Sequence, residues 1–352
     1  MAKKKKEEIV EQINNNDVEP LLLPTHGIYE YIDLLLDDKT TGKKIIFAED
    51  EYEDLGYKPE DHYSKDIMEK LIADKKINYR YRKSIQDQKD RTKKKAEVFT
   101  PTWVCKQMID MCEPPEDWQE LIESTWLEIT CGEAPYITSR YDTTTGDDID
   151  IPNRTGILDR KFHAVNYYSH DHKEWCNLAI KALQSTYGYE YQGDNLFIAR
   201  VNVLRCFVEN YRYQWHRKPT KDLIETAIDI ITWNFWQMDG LNDKVPNTNI
   251  PAKIRDWSKS YFDDDYIIDF RILKGPVDPE ILAQEKIDDA LEIIKESIKS
   301  VSKKSQPKLI NDIKKKLDDS FNSKDTKTKT KNKSTTKKKE NNKDEQLSLF
   351  DV

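Results

Sequence analysis

Paired cysteines are missing from this chain. Its five cysteines, Cys105, Cys112, Cys131, Cys176 and Cys206, show no CxxC spacing. That excludes the usual zinc and disulfide frameworks and leaves reduced thiols, buried or partly buried, as the expectation. Long apolar runs are missing too, since none approaches the roughly 18 residues that would cross a bilayer. The opening MAKKKKEE is charged, but no apolar stretch follows it, so no secretory leader is expected and a cytoplasmic location is. Nor is there an excess of positive charge. The 352 residues carry a net charge of -8; from Ser323 onward nine Lys face five Asp or Glu, so that tail is +4 and residues 1–322 hold −12. Neutralising phosphates takes clustered Lys and Arg, so the acidic body does not advertise nucleic-acid binding, although local basic patches remain compatible with it.

What is present falls into four stretches. Residues 1–95 read as a charged, mostly helical N-terminal extension with one short strand-like run, Lys44 to Ala48. Within it, Lys70 to Lys95 interleaves Tyr79, Tyr81, Arg80, Arg82 and Arg91. That mixture suits a nucleic-acid backbone, but a solvated helix with a few packing tyrosines is the expectation. Residues 96–275 hold the best-patterned elements and read as the core. From Pro276 to residue 319 the spacing of Ile281, Ile287, Leu291, Ile294 and Ile298 predicts helix. Residues 320–352 begin as Lys, Thr, Asn and Ser with almost no apolar side chain, a composition that cannot bury enough surface to fold.

Three core segments suggest chemistry. Trp126 to Tyr136 (WLEITCGEAPY) reads as a short buried strand and a tight glycine turn, where ligands approach the carboxyl ends of strands in doubly wound sheets. Ser185 to Glu190 reads as a strand ending in a carboxylate, with Leu196 to Phe207 continuing as an amphipathic helix. A strand-terminal acid can accept both hydroxyls of a ribose. Ile228 to Asn234 is apolar and β-branched and reads as a third strand, with Asp239 just beyond it placed to accept from an exocyclic amine.

These segments, with Ala96-Glu97-Val98-Phe99-Thr100-Pro101 upstream, resemble the adenine-specific DNA methyltransferases of bacterial restriction–modification systems, in particular the group called restriction endonuclease subunit M. Phe99, Thr100 and Pro101, followed by a helix through Met108 and Met111, look like the G-x-x-(F/Y)-T-P segment, which in that family packs over the methionine end of S-adenosylmethionine. Glu128, Thr130, Cys131 and Gly132 look like the D-P-x-C-G-x-G turn beneath the cofactor. Tyr187 to Asn202 is similar to the segment in which G-x-(E/D) is followed by A-R-x-N, and Glu190 is then the ribose acid. Asn234 to Leu241 resembles N-x(4)-D-x-L, with Asp239 reading the adenine amine. The resemblance implies a Rossmann-like class I α/β methyltransferase core, S-adenosylmethionine as cofactor and DNA as partner, with restriction or specificity subunits as further partners.

Two departures stand out. Ala134 occupies the place of the second glycine of the turn, where a Cβ is normally absent. The catalytic tetrad, D, N or S followed by Pro-Pro-aromatic, is not found after Leu241. Phe262 to Phe270 is the nearest counterpart and carries no Pro-Pro. Catalytic residues are therefore unassigned, and a catalytically silent binding protein stands beside the enzyme as a reading. The segment Thr138 to Glu174 reads as an insertion, in which His170 and His172 are expected to be an exposed loop pair and not a metal site, while Arg160 and Lys161 face DNA or solvent. At the other end, Gln346-Leu347-Ser348-Leu349-Phe350 resembles the Q-L-(S/D)-L-F motif by which bacterial polymerases and repair proteins engage the DNA sliding clamp.

Overall fold

The computed structural model describes residues 29–82, 100–263 and 266–275. The chain divides into two compact units, residues 1–248 with 252–268, and residues 249–251 with 269–352. The expected helix over 276–319, and the tail with Gln346 to Phe350, lie outside the described residues.

The first unit is mixed α/β. At its N-terminal side, a 3-10 turn (Tyr29–Tyr31) and α1 (Ile32–Leu35) lead into the antiparallel pair β1 (Asp37–Asp38) and β2 (Lys43–Lys44). The anticipated strand at Lys44–Ala48 is thus confined to Lys43–Lys44, with one isolated bridge from Ile46 to His62. A 3-10 segment (Asp50–Leu55) and α2 (Lys65–Ala73) follow, and the Ser64 side chain caps α2 by accepting from Ile67 N. Ile32, Leu35, Phe47, Tyr63, Met68 and Leu71 are buried in the same hydrophobic core as the downstream elements.

That downstream part begins with α3 (Thr102–Met111) and α4 (Trp118–Glu123) and is built on a parallel sheet. Its strands β3 (Trp126–Glu128), β4 (Thr186–Glu190) and β5 (Phe235–Gln237) lie in that spatial order, with Trp126 opposite Thr186 and Gly188 opposite Phe235. Parallel neighbours require crossover connections. Here α5 (Ile157–Tyr168) and α6 (His172–Gln184) link β3 to β4, and α7 (Gly193–Trp215) and α8 (Lys221–Asn234) link β4 to β5. The segment read as an insertion, Thr138 to Glu174, therefore supplies the first crossover helix. Ile157, Leu158, Phe162 and Val165 on α5 are core residues.

Two assignments change. Ile228 to Asn234 is not a strand but the last two turns of α8. Its Ile-rich composition suits a strand locally, yet the whole window has helical period: Ala227, Ile228 and Ile231 are buried while Asp222, Thr226 and Asp229 are exposed. Period over a full helix length outweighs β-propensity. The expected amphipathic helix at Leu196–Phe207 is a longer helix, α7, buried all round from Gly193 to Phe207. Such burial marks a core helix more than a surface one.

Glycine is demanded by packing in β4, where a Cβ on Gly188 would sit 2.9 Å from the Phe235 ring and 3.2 Å from Cys131 Cβ. A separate two-stranded pair is formed by β6 (Lys253–Arg255) and β7 (Ile267–Asp269), which do not join the β3–β4–β5 sheet. In the second unit, Asp269 caps a 3-10 turn (Phe270–Lys274) and pairs with Arg271 at 2.6 Å. Among the described residues, no helix is long and apolar enough to cross a membrane.

Candidate functional site at the carboxyl ends of the parallel strands

Because β3, β4 and β5 are parallel neighbours, the residues that follow each of them emerge on one edge of the sheet. Glu128 ends β3, Glu190 ends β4, and Asp239 follows β5 by two residues. Residues far apart in sequence are thereby gathered, with the turn at Thr130, Cys131 and Gly132 lying between β3 and β4.

The turn alternates in hand: Thr130, Gly132 and Ala134 have φ of 51°, 54° and 65°. Left-handed backbone costs a non-glycine residue roughly 1–2 kcal/mol, so other contacts must hold it. Cys131 N donates to Tyr189 O at 2.8 Å, which extends the parallel pairing past β3. Gly132 N donates to Glu190 Oε2 at 2.8 Å. Behind the turn, Asn202 Nδ2 on α7 donates to Glu133 O at 2.8 Å, and Tyr141 Oη donates to Glu133 Oε2 at 2.7 Å. Ala134 adopts the conformation expected of glycine, but its methyl is fully buried in the core and so does not face the solvent side of the turn.

The Glu190 carboxylate also accepts from Tyr191 N at 2.9 Å and Gln192 N at 3.1 Å. Burial pushes its pKa up to about 7, against the pull of the Gln192, Gly132 and Tyr191 amides. With three backbone donors on about four lone-pair sites, one acceptor position on Oε2 is open. Glu128 is half-buried, and burial pushes it up to about 8. Near neutral pH it is thus largely a neutral carboxyl, able to donate as well as accept. Cys131 is buried, and its thiol is pushed well up by that burial, reinforced by Glu190 and Glu128.

Asp239 is placed as the sequence suggests but is engaged locally. Its Oδ1 accepts from Leu241 N and Asn242 N at 3.0 and 3.3 Å, and its Oδ2 accepts from Asn242 Nδ2 at 2.7 Å. It organises its own loop, in which Gly240 packs where a Cβ would meet the Tyr189 hydroxyl at 2.6 Å. Asn234 of the same segment ends α8, and its amide donates to Leu183, Gln184 and Thr186 carbonyls, each at 3.0 Å.

Pro101 is the N-cap of α3, and Thr100 O accepts from Thr143 Oγ1 at 2.8 Å. Phe99 lies outside the described residues. The helix is brought toward the turn through Tyr136, whose hydroxyl meets Met108 Sδ at 2.9 Å. Trp103, Met108 and Met111 on α3 are exposed at 64%, 48% and 81%, leaving an apolar stripe open to solvent.

Other expectations are revised. Lys161 faces neither DNA nor solvent: it is fully buried, donating to Ser124 O at 2.6 Å and to Ser185 Oγ and O at 2.7 and 3.2 Å. Burial pushes its pKa well below the ordinary lysine value. Arg160 binds Thr155 O and Asp110. His170 is exposed, whereas His172 starts α6 with its Nε2 hydrogen-bonded to the Tyr211 hydroxyl at 2.8 Å. Among the described residues, no group of His, Cys, Asp and Glu is arranged to hold a metal ion. All five cysteines are free, and Cys112 is exposed and not buried as expected. Tyr79 is buried and stacks on Tyr81 at 5.6 Å, which bears out the packing alternative for those two residues.

The residues that sequence reasoning passed over are the buried polar ones. Arg200 Nε donates to Phe235 O at 2.8 Å, and its Nη1 donates to Leu35 O and Asp37 O at 2.7 Å, tying β5 to the N-terminal residues. Gln237 mimics a strand edge: Ile46 N donates to its Oε1, and its Nε2 donates to Ile46 O and Tyr191 O, all at 2.8 Å. Their signal was available, since a polar side chain inside an apolar run must find partners when buried. A cavity of about 520 Å³, lined by Ile180, Asp222, Asp229 and Trp257 among others, includes none of the predicted site residues.

Neither a family model, nor a curated protein, nor a solved structure matches this chain. The functional reading therefore rests on the residues and their arrangement.

Proposed function

We propose that this chain is a DNA adenine-N6 methyltransferase-like protein of a restriction–modification or related phage or defence system, with a Rossmann-like class I core that binds S-adenosylmethionine and acts on or near DNA. The observation that carries this reading is the convergence of three acids and a glycine turn at one edge of a parallel sheet whose strands run in sequence order. Parallel strands in sequence order joined by helical crossovers, here of two helices each, support a doubly wound nucleotide-binding half. Thr100, Pro101, Glu128, Thr130, Cys131, Gly132, Glu190 and Asp239 would hold the cofactor, together with Phe99. The turn fits such a ligand, because the Ala134 methyl is buried away from the open side and Glu190 keeps an acceptor position. When bound, the sulfonium supplies an electrophilic methyl group. A DNA adenine N6 amine is the acceptor that the resemblance implies.

A second reading is a catalytically silent binding protein that assembles with partner subunits or docks on the DNA sliding clamp through Gln346, Leu347, Ser348, Leu349 and Phe350. The missing Pro-Pro-aromatic tetrad favours it, as does β7, the nearest counterpart of the catalytic strand, which stays apart from the three-stranded sheet.

Calorimetry with S-adenosylmethionine tests the shared part. Absence of heat with the wild type, or equal affinity in Glu190→Ala, would remove the site assignment. Labelled cofactor with mixed-sequence DNA, with and without co-encoded subunits, separates the two readings: incorporation by the isolated chain selects the enzyme.

A further inference from the structure

Glu133, one residue beyond Gly132, is held from behind. Its side chain accepts from the Tyr141 hydroxyl at 2.7 Å and its carbonyl accepts from Asn202 Nδ2 at 2.8 Å. Asn202 Nδ2 also donates to Tyr141 Oη at 3.1 Å, and Arg140 Nη1 donates to Asn202 Oδ1 at 3.3 Å. The amide of Asn202 therefore has one orientation that satisfies all its partners. Arg140 is held in turn by Glu209, which also pairs with Arg154 at 2.6 Å.

The Tyr141 ring is backed by residues from the N-terminal part of the same unit. Tyr79 and Tyr81 lie 4.9 and 5.1 Å from it, centroid to centroid, at 60° and 55°. Gly146 makes room for this backing, since a Cβ there would come within 2.3 Å of the Tyr81 ring. Burial and the neighbouring Glu133 carboxylate push the Tyr141 pKa well up, so its hydroxyl remains a donor at every physiological pH. None of these groups is among the ligand-facing residues assigned above.

We infer that Tyr141 and Asn202 are positioning residues that preset the left-handed turn at Thr130 to Ala134, with Tyr79 and Tyr81 as the backing that keeps Tyr141 in place. Their value for a ligand rests on the cofactor reading; their effect on the turn does not. The strained turn has one glycine at its three left-handed positions, so it depends on partners outside itself.

The test compares full-length wild type, Tyr141→Phe and Glu133→Gln by hydrogen exchange over residues 131–136 and by calorimetry with S-adenosylmethionine. Phenylalanine keeps the ring packing and removes one hydroxyl. Exchange in the turn should quicken about ten-fold and affinity should fall about ten-fold, the scale of one hydrogen bond. Exchange in α8 should be unchanged. Glutamine at 133 still accepts from Tyr141 and should stay close to wild type in both measurements. Unaltered turn exchange in Tyr141→Phe, or a Glu133→Gln defect as large as that of Tyr141→Phe, overturns the inference. Absence of heat with the wild type sinks the cofactor reading alone, and the exchange measurement still decides whether Tyr141 presets the turn.

Discussion

Replacing Glu128 by Gln isolates the electrostatic state of the strand-end site. The Glu128 carboxyl is pushed by burial from 4.5 to about 8. A carboxyl raised in the folded state binds its proton more tightly there than in the unfolded chain. Its contribution to stability is fully present below pH 4.5 and is lost as pH climbs to about 8, because the unfolded state binds fewer protons across that window. At about 1.4 kcal/mol per pH unit the ceiling is on the order of 5 kcal/mol. Glu128 keeps some contact with solvent, so screening reduces the expected loss to about 2 kcal/mol. Glutamine keeps the shape and removes the titration. Urea unfolding at pH 5, 6, 7 and 8 should show the variant close to wild type at pH 5 and about 2 kcal/mol more stable at pH 8. Glu190, raised to about 7 by burial, has the same sign, so the variant retains a smaller slope from that residue. Identical pH dependence in the two proteins would show that Glu128 is ionised at neutral pH, and the reasoning would fail.

Four further substitutions probe the frame around the site. Lys161→Met removes the donor shared by Ser124 and Ser185 and leaves Ser124 O without that partner; a loss of about 2–4 kcal/mol in urea unfolding is expected, and an unchanged midpoint would mean that these buried hydrogen bonds contribute nothing. Thr130→Gly acts at an exposed residue with φ of 51° and should stabilise by up to about 1 kcal/mol; Ala134→Gly should be nearly neutral, since relief of similar strain is offset by about 0.8 kcal/mol for the buried methyl. Gly193→Ala would place a Cβ 2.1 Å from Ile46 O; a loss of about 1–3 kcal/mol is expected, and thermal unfolding equal to wild type would contradict that close approach.

Glu190 was legible because a strand that ends in an acid carries its own signature, and the structure places it at the end of β4. The Trp126-to-Tyr136 segment was legible for a similar reason, as a short strand followed at once by glycine. Ile228 to Asn234 misled because its apolar and β-branched residues, Ile228, Ile230, Ile231, Thr232 and Trp233, look alike in a strand and in the buried face of a helix. The deciding information lay upstream, in the helical spacing that begins at Lys221. Asp239 was placed correctly along the chain, but the donors it meets belong to Leu241 and Asn242, and only the path of that loop turns them toward it.

By itself, the sequence determined the local events: a strand and glycine turn within Trp126 to Tyr136, a strand ending in Glu190, and an acid, Asp239, beyond a third element that the structure shows to be helix. These depend on spacing and composition within a few residues. Tertiary structure alone decided that residues 29–82 contribute to the core, that Lys161 is buried beside Ser124 and Ser185, and that Asn202, Tyr141 and Gln237 hold the site from behind. The physical reason is the same in each case. A buried polar group must be satisfied wherever a partner lies in space, and Gln237 and Ile46 meet across 191 residues of chain.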